Sequence, residues 1–265
     1  MLVSLQAVNA QRKPKIKGNR NVVEVQQELS PFNSIELVDD LDIVLEKSSR
    51  EGYALEADDN LIDILKFKVQ DSTLYISSFY KITGKKKLNI TIQFVDLKEI
   101  TMQDGRIDME DIITADELYV NTFGASRLEL NASAPYVQIT MEGMSSGDYN
   151  LASDSLNITL KDRVDASIYS VGESSAIKMY KNASAKLEGK VDIFYVDLYE
   201  NANLKAEKLE AETVKATLQE SPSASVYALD NFELSSRGSS KTYLYGEAKI
   251  VILEFLDTSQ LNKEK

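Results

Sequence analysis

From Leu118 to Leu234 apolar and polar residues alternate in short runs that recur at nearly constant spacing. The runs begin at Leu118, Val137, Leu156, Ile177, Val196, Val214 and Phe232, in steps of 19, 19, 21, 19, 18 and 18 residues. Within a run every second residue is apolar, as in Val137, Ile139, Met141 or Leu156, Ile158, Leu160. A period of two means strands buried on one face, and a repeat near twenty residues means that those strands stack turn upon turn. Small polar clusters such as Gly124-Ala125-Ser126, Ser145-Ser146-Gly147, Asp165-Ala166-Ser167 and Asn182-Ala183-Ser184 follow the runs and read as tight corners before a second strand. Corners this short leave no room for a crossover helix, which excludes a βαβ sheet. The pattern predicts an all-β chain: a parallel β-helix of about 19 residues per turn, right-handed by the usual chirality of parallel connections.

The chain before Leu97 is less regular. Asp58-Asp59-Asn60 reads as the N-cap of one short helix of about two turns over Leu61 to Leu65. Phe67-Lys68-Val69 and Leu74-Tyr75-Ile76 flank Gln70-Asp71-Ser72-Thr73 as a hairpin. The organisation read from these patterns is a leader remnant with a basic lead-in over 1–17 and a single β-helical domain over 18–257. That domain divides into an irregular part, 18–96, and regular repeats, 97–257; a polar tail follows over 258–265.

Stacking the runs by their first residues predicts two outward columns. One is Tyr119, Gln138, Asn157, Lys178, Asp197, Lys215, Glu233, whose last four members alternate in sign. The other is Asn121, Thr140, Thr159, Tyr180, Tyr199, Thr217, Ser235, all hydroxyl or amide side chains with two tyrosines adjacent. Opposite charges and paired aromatics on neighbouring strands support such a register.

Composition narrows the function. The net charge of −12 argues against a nucleic-acid binder, which needs a basic stripe to displace phosphate counterions. With no cysteine there is no disulfide, thiolate nucleophile or Cys-ligated metal, and with no histidine there is no Ser-His-Asp triad or His-ligated zinc. No cofactor and no metal site is expected. Val8 and Ala10 fit the small-residue spacing of a signal-peptidase site, which predicts export to the periplasm, outer-membrane surface or extracellular space. No stretch approaches the roughly 20 apolar residues of a membrane span.

Three groups of residues invite chemistry. The acidic run Asp104 to Asp111 lacks the spacing of an EF-hand loop and reads as a solvated, edge-protecting turn, with calcium the alternative. Asp162, Arg163 and Asp165 are the catalytic candidates of a polysaccharide lyase or hydrolase, whose carboxylates would share a groove. Tyr180 and Tyr199, with Lys178 and Asp197 beside them and Thr159 and Thr217 in the same predicted column, form the candidate binding face for a glycan or protein. Stabilisation of neighbouring turns is the plainer account of the same tyrosines.

The stretches Gly18-Asn19-Arg20-Asn21-Val22-Val23, Phe32-Asn33-Ser34-Ile35-Glu36-Leu37, Asp42-Ile43-Val44-Leu45, Leu55 to Ile62 and Asp71 to Ile76 resemble the head GIN domain auto-transporter adhesins of Bacteroidetes. The likeness spans about residues 18–256 and departs at Val38-Asp39-Asp40-Leu41, where the family usually has a glycine-rich stretch. The resemblance implies an exported, right-handed β-helical protein of the cell envelope and carries over no catalytic residue. Three readings follow: a non-catalytic adhesin contacting a surface glycan or envelope protein, a polysaccharide-active enzyme, and a purely structural envelope module.

Overall fold

A computed structural model describes residues 13–265. Sixty-eight per cent of the chain is strand, wound into a β-solenoid of about nine turns with about 19 residues per turn. Each turn gives one strand to each of two stacks. One stack holds Ser34–Leu37, Glu99–Met102, Glu117–Thr122, Tyr136–Met141 and Ser155–Leu160, all parallel. The other holds Asp42–Lys47, Arg106–Met109, Arg127–Ser133 and Ser146–Ala152, again parallel. From Asp165–Met179 onward, single long strands bend through both stacks. The coil closes on Lys249–Phe255 in the first stack and Gln260–Lys263 in the second. The stretch 258–265, read from sequence as a polar tail, therefore supplies a strand of the coil.

Register departs from the sequence reading at two steps. Ile158, not Leu156, lies on Ile177, and Ala216, not Val214, lies on Val196. The interior column is Val120, Ile139, Ile158, Ile177, Val196, Ala216 and Leu234, all buried. The slip arises because Leu156 lies on Ser175, a buried serine whose hydroxyl meets that of Ser170 at 3.4 Å. A one-residue slip would turn every side chain to the wrong face, but a slip of two leaves the alternation intact, so hydrophobic patterning is blind to it. The extra residue in the true 20-residue step from Val196 to Ala216 sits in a bulge where Asn203–Glu220 pairs with Ser184–Glu200.

The corners share one conformation. Gly105, Gly124, Gly143, Asp162, Lys181, Glu200, Glu220, Gly238 and Asp257 all have positive φ, from 59° to 84°. Two residues after six of these corners comes a buried, small or compact side chain: Ser126, Ser145, Val164, Ala183, Ala202 or Ser240. Ser126 and Ser145 donate their hydroxyls to the carbonyls of Phe123 and Glu142, three residues back. The clusters at Ser145-Ser146-Gly147 and Asp165-Ala166-Ser167 thus run past the bend into the next strand, and the true corner of the latter turn is Asp162-Arg163-Val164.

The less regular first part is one coil turn plus a cap. Ser34–Leu37 and Asp42–Lys47 lie between the strands that precede them in space, Thr73–Ser78 and Leu88–Phe94, and those that follow. Val22–Glu28 pairs antiparallel with Gly52–Asp58, which pairs antiparallel with Leu88–Phe94. Leu65–Gln70 and Thr73–Ser78 form the expected hairpin, and positive φ at both Asp71 and Ser72 suits its two-residue turn. These antiparallel strands close the N-terminal end of the coil.

The helix is a single turn, Asp59–Ile62, shorter than the spacing predicts, and the Asp58 side chain does not cap it. The Asp58 carboxylate is instead buried and accepts the backbone N–H groups of Lys86 at 3.0 Å and Lys87 at 3.2 Å. Those hydrogen bonds hold its pKa below the ordinary carboxylate value. Gly18 lies against it so closely that a Cβ there would sit 1.8 Å from Asp58 Oδ2.

The basic lead-in is partly structural. Lys15–Ile16 pairs in parallel with Lys81–Ile82, and Lys13 Nζ binds the Asp39 carboxylate and, at 2.7 Å, the Ser78 carbonyl. Arg12 and the leader-like Val8 and Ala10 lie outside the described residues.

Candidate functional site

Correct stacking rearranges the predicted binding face. Thr159, Lys178, Asp197 and Thr217 form one outward column, with Lys178 Nζ 3.7 Å from Asp197 Oδ2. Tyr180 and Tyr199 stand in the next column towards the corner, where Tyr199 pairs onward with Gln219 and Gln219 with Arg237. Thr159 and Thr217, predicted in the tyrosine column, thus belong beside Lys178 and Asp197. The tyrosine rings are parallel within 6° and 5.0 Å apart between centroids. Lys215 and Glu233 also remain neighbours, at 3.6 Å, but in a column apart from Lys178 and Asp197.

The adjoining corners wall the tyrosines. Lys161, Lys181, Glu200 and Glu220 surround the two rings in a shallow cleft of about 410 Å³. Lys161 Nζ donates to Glu142 at 2.7 Å, which raises its pKa. Lys181 Nζ donates to the Asp162 carboxylate, raising the lysine's pKa and lowering the aspartate's. Burial, then the charge of Asp197 and the neighbouring Tyr180, pushes the Tyr199 phenol upward. The cleft therefore offers two phenol rings, with Lys161, Lys181, Glu200 and Glu220 at its rim. None of Lys161, Lys181, Glu200 and Glu220 is among the sequence candidates. Their signal is the 19-residue spacing of Asp162, Lys181 and Glu200, in phase with Gly105, Gly124 and Gly143.

A second groove, of about 350 Å³, crosses the other stack. Its central column is Asn131, Asn150, Tyr169 and Glu188, each directly over the next. Tyr169 is half exposed there. This groove too was missed from sequence, although its residues recur every 19 positions.

The catalytic candidates do not share a groove-facing arrangement. Asp162 occupies the left-handed corner with its carboxylate engaged by Lys181. The Arg163 backbone N–H donates to Gly143 O, and its side chain is exposed. Asp165, across the buried Val164, starts a strand between Ser146 and Ser184 of the adjacent turns. The acidic run is likewise engaged: Arg106 bridges Asp108 and Glu129, and Asp111 accepts the Lys47 backbone N–H at 2.8 Å. No helix among the described residues is long and apolar enough to cross a membrane.

A parallel β-solenoid that carries its polar columns and clefts on the outside defines a surface-presenting scaffold. The chain belongs to the head GIN domain family, described as "Putative auto-transporter adhesin, head GIN domain", which matches residues 31–149 and 145–248. Solved structures share the fold. A Parabacteroides distasonis protein described as a "putative lipid binding protein" is 21% identical with a TM-score of 0.66, over 95% of this chain and 100% of that one. A "putative adhesin" from Parabacteroides merdae is 18% identical with a TM-score of 0.60 over 95% of this chain and 100% of that one. Another from P. distasonis is 17% identical with a TM-score of 0.65, over 94% and 99%. No curated protein matches the chain. The family and these neighbours are described as adhesins or binding proteins and not as enzymes.

Proposed function

We propose that this protein is a non-catalytic, exported adhesin of the cell envelope that contacts a surface glycan through the cleft over Tyr180 and Tyr199. The observation that carries this reading is the pairing of two half-buried, parallel phenol rings with a rim of Lys161, Lys181, Glu200 and Glu220. Ring edges and hydroxyls meet the apolar and hydroxyl faces of a sugar, and the charged rim supplies donors and acceptors that fix its orientation. Lys178, Asp197, Thr159 and Thr217 extend the same face by one column. An envelope protein is the other partner class that such a mixed surface suits.

Two further readings have less support. A hydrolase needs one carboxyl group that holds a proton near neutrality, and Lys181 drives Asp162 the opposite way. A lipid ligand would have to lie on the surface, because the interior columns are filled by packed side chains. A glycan array run beside activity assays on uronic-acid polymers separates these. Binding without turnover is the expected result. Turnover abolished by Asp162→Ala would replace the adhesin reading by the enzymatic one.

A further inference from the structure

The two ends of the coil are treated differently. Each end has edge strands with a partner on one side only among the described residues, Val22–Glu28 and Leu65–Gln70 at the N-terminal end and Lys249–Phe255 and Gln260–Lys263 at the other. At the N-terminal end Leu55, Leu61 and Leu65 are buried beneath the antiparallel strands, whereas Lys249–Phe255 is exposed along its whole length. Ile250 and Ile252 lie on Phe232 and Leu234, and Phe255 lies on Ser236, so all three stand in interior columns. Phe232, Leu234 and Ser236 are fully buried, yet Ile250, Ile252 and Phe255 are 41%, 45% and 44% exposed. Val251, Leu253 and Leu256 add further apolar surface around them. In the first stack the last turn is thus a cross-section of the core with a free backbone edge, while in the second Lys263 lies on the buried Leu244 with its Nζ 3.8 Å from Glu247 Oε1. Such an edge is a template for pairing with another chain, and natural sheets usually blunt it with prolines or several charges. Lys249–Phe255 contains no proline and only two charges, Lys249 near its start and Glu254 near its end.

We propose that this end docks on the same end of a second copy, giving a two-fold dimer with the coils coaxial and the capped ends outermost. A two-fold axis through both stacks sets each terminal strand antiparallel to its symmetry mate, so both free edges are paired at once. Lys249 stands on Asn231 and Glu254 on Ser235, both outside the interior columns, so the two charges share the outer face. The antiparallel arrangement brings Lys249 towards the partner's Glu254, and Glu254 towards the partner's Lys249. A head-to-tail stack would instead meet the edge strands Val22–Glu28 and Leu65–Gln70, blunted by the exposed Glu24, Glu28, Lys66 and Lys68, so assembly stops at two copies.

Sedimentation velocity on the full chain tests this. A dimer at micromolar concentration is expected, with Ile252→Lys shifting it to monomer while circular dichroism stays unchanged. Lys249→Glu should weaken the dimer at least tenfold, and Lys249→Glu with Glu254→Lys should restore it. Because the chain has no cysteine, Ile252→Cys should give a single intermolecular disulfide on oxidation. A monomeric wild-type protein overturns the proposal. So does a dimer indifferent to Ile252→Lys, or a monomer that floats with phosphatidylcholine vesicles through this end.

Discussion

The Tyr180 and Tyr199 rings lie parallel, 5.0 Å apart, with a 6° angle between their planes. Facing rings on adjacent turns protect each other's inner faces, so the pair shows solvent its edges and hydroxyls. Stacking of this kind contributes about 0.5–1.5 kcal/mol beyond simple burial. A double-mutant cycle with Tyr180→Ala and Tyr199→Ala, read by urea unfolding, should return a coupling in that range. Strict additivity would mean that the rings do not stabilise the turns they join.

The left-handed corners make a second prediction. Glu220 has a φ of 77°, a conformation that costs an L-residue about 1–2 kcal/mol and glycine almost nothing. Glu220→Gly should therefore leave the protein as stable as before or more stable by about 1 kcal/mol. At the next corner, Gly238→Ala should destabilise it, since a Cβ there would stand 2.3 Å from Glu220 O. Differential scanning calorimetry of the two variants checks the opposite signs.

Asp58 gives a pH dependence. Its pKa is lowered in the folded protein, chiefly by the Lys86 backbone N–H. The stability it contributes is fully present above the unfolded carboxylate value and is lost as pH falls through its depressed folded value. Asp58→Asn should thus destabilise the protein at neutral pH and flatten its acid-induced loss of stability below about pH 4. Urea titrations at a series of acidic pH values would contradict this if wild type and variant ran parallel.

Tyr149 is buried inside the coil over Gly147, where any Cβ would strike its ring at 2.4 Å. Among the described residues its hydroxyl has only the Met141 sulfur, at 3.5 Å, as a partner, and burial drives its pKa upward. A weakly satisfied buried hydroxyl costs desolvation that a good hydrogen bond would offset. Tyr149→Phe should be neutral or stabilising by up to about 1 kcal/mol, measured by the urea midpoint.

How far the site was legible depends on where its residues fall relative to the slips in register. Tyr180 and Tyr199, like Lys178 and Asp197, lie between the two slips, so each pair was found adjacent despite them. Thr159 lies before the first and Thr217 after the second, and both were put in the wrong column. The cause is local: Ser175 holds an interior position that patterning assigns to an apolar residue, and Ala216 is too small to mark the start of a run. Gly105, Gly124 and Gly143 held the correction, because their 19-residue spacing continues through Asp162, Lys181 and Glu200 whatever the strands suggest. The cap was not legible in order, since Ser34–Leu37 pairs on both sides with strands that come later in sequence. Nor was the role of Asp58: a carboxylate before a helix predicts a cap, and only the fold shows Lys86 and Lys87 beside it.

The central claim, that the tyrosine cleft is where this protein meets its partner, is tested most directly by titrating an array-identified glycan against two variants. Isothermal titration calorimetry should show binding lost in Tyr180→Ala with Tyr199→Ala and kept in Tyr169→Ala, which alters only the groove on the other stack. Binding kept in the first and lost in the second would contradict the claim and move the site to the Asn131, Asn150 and Tyr169 column.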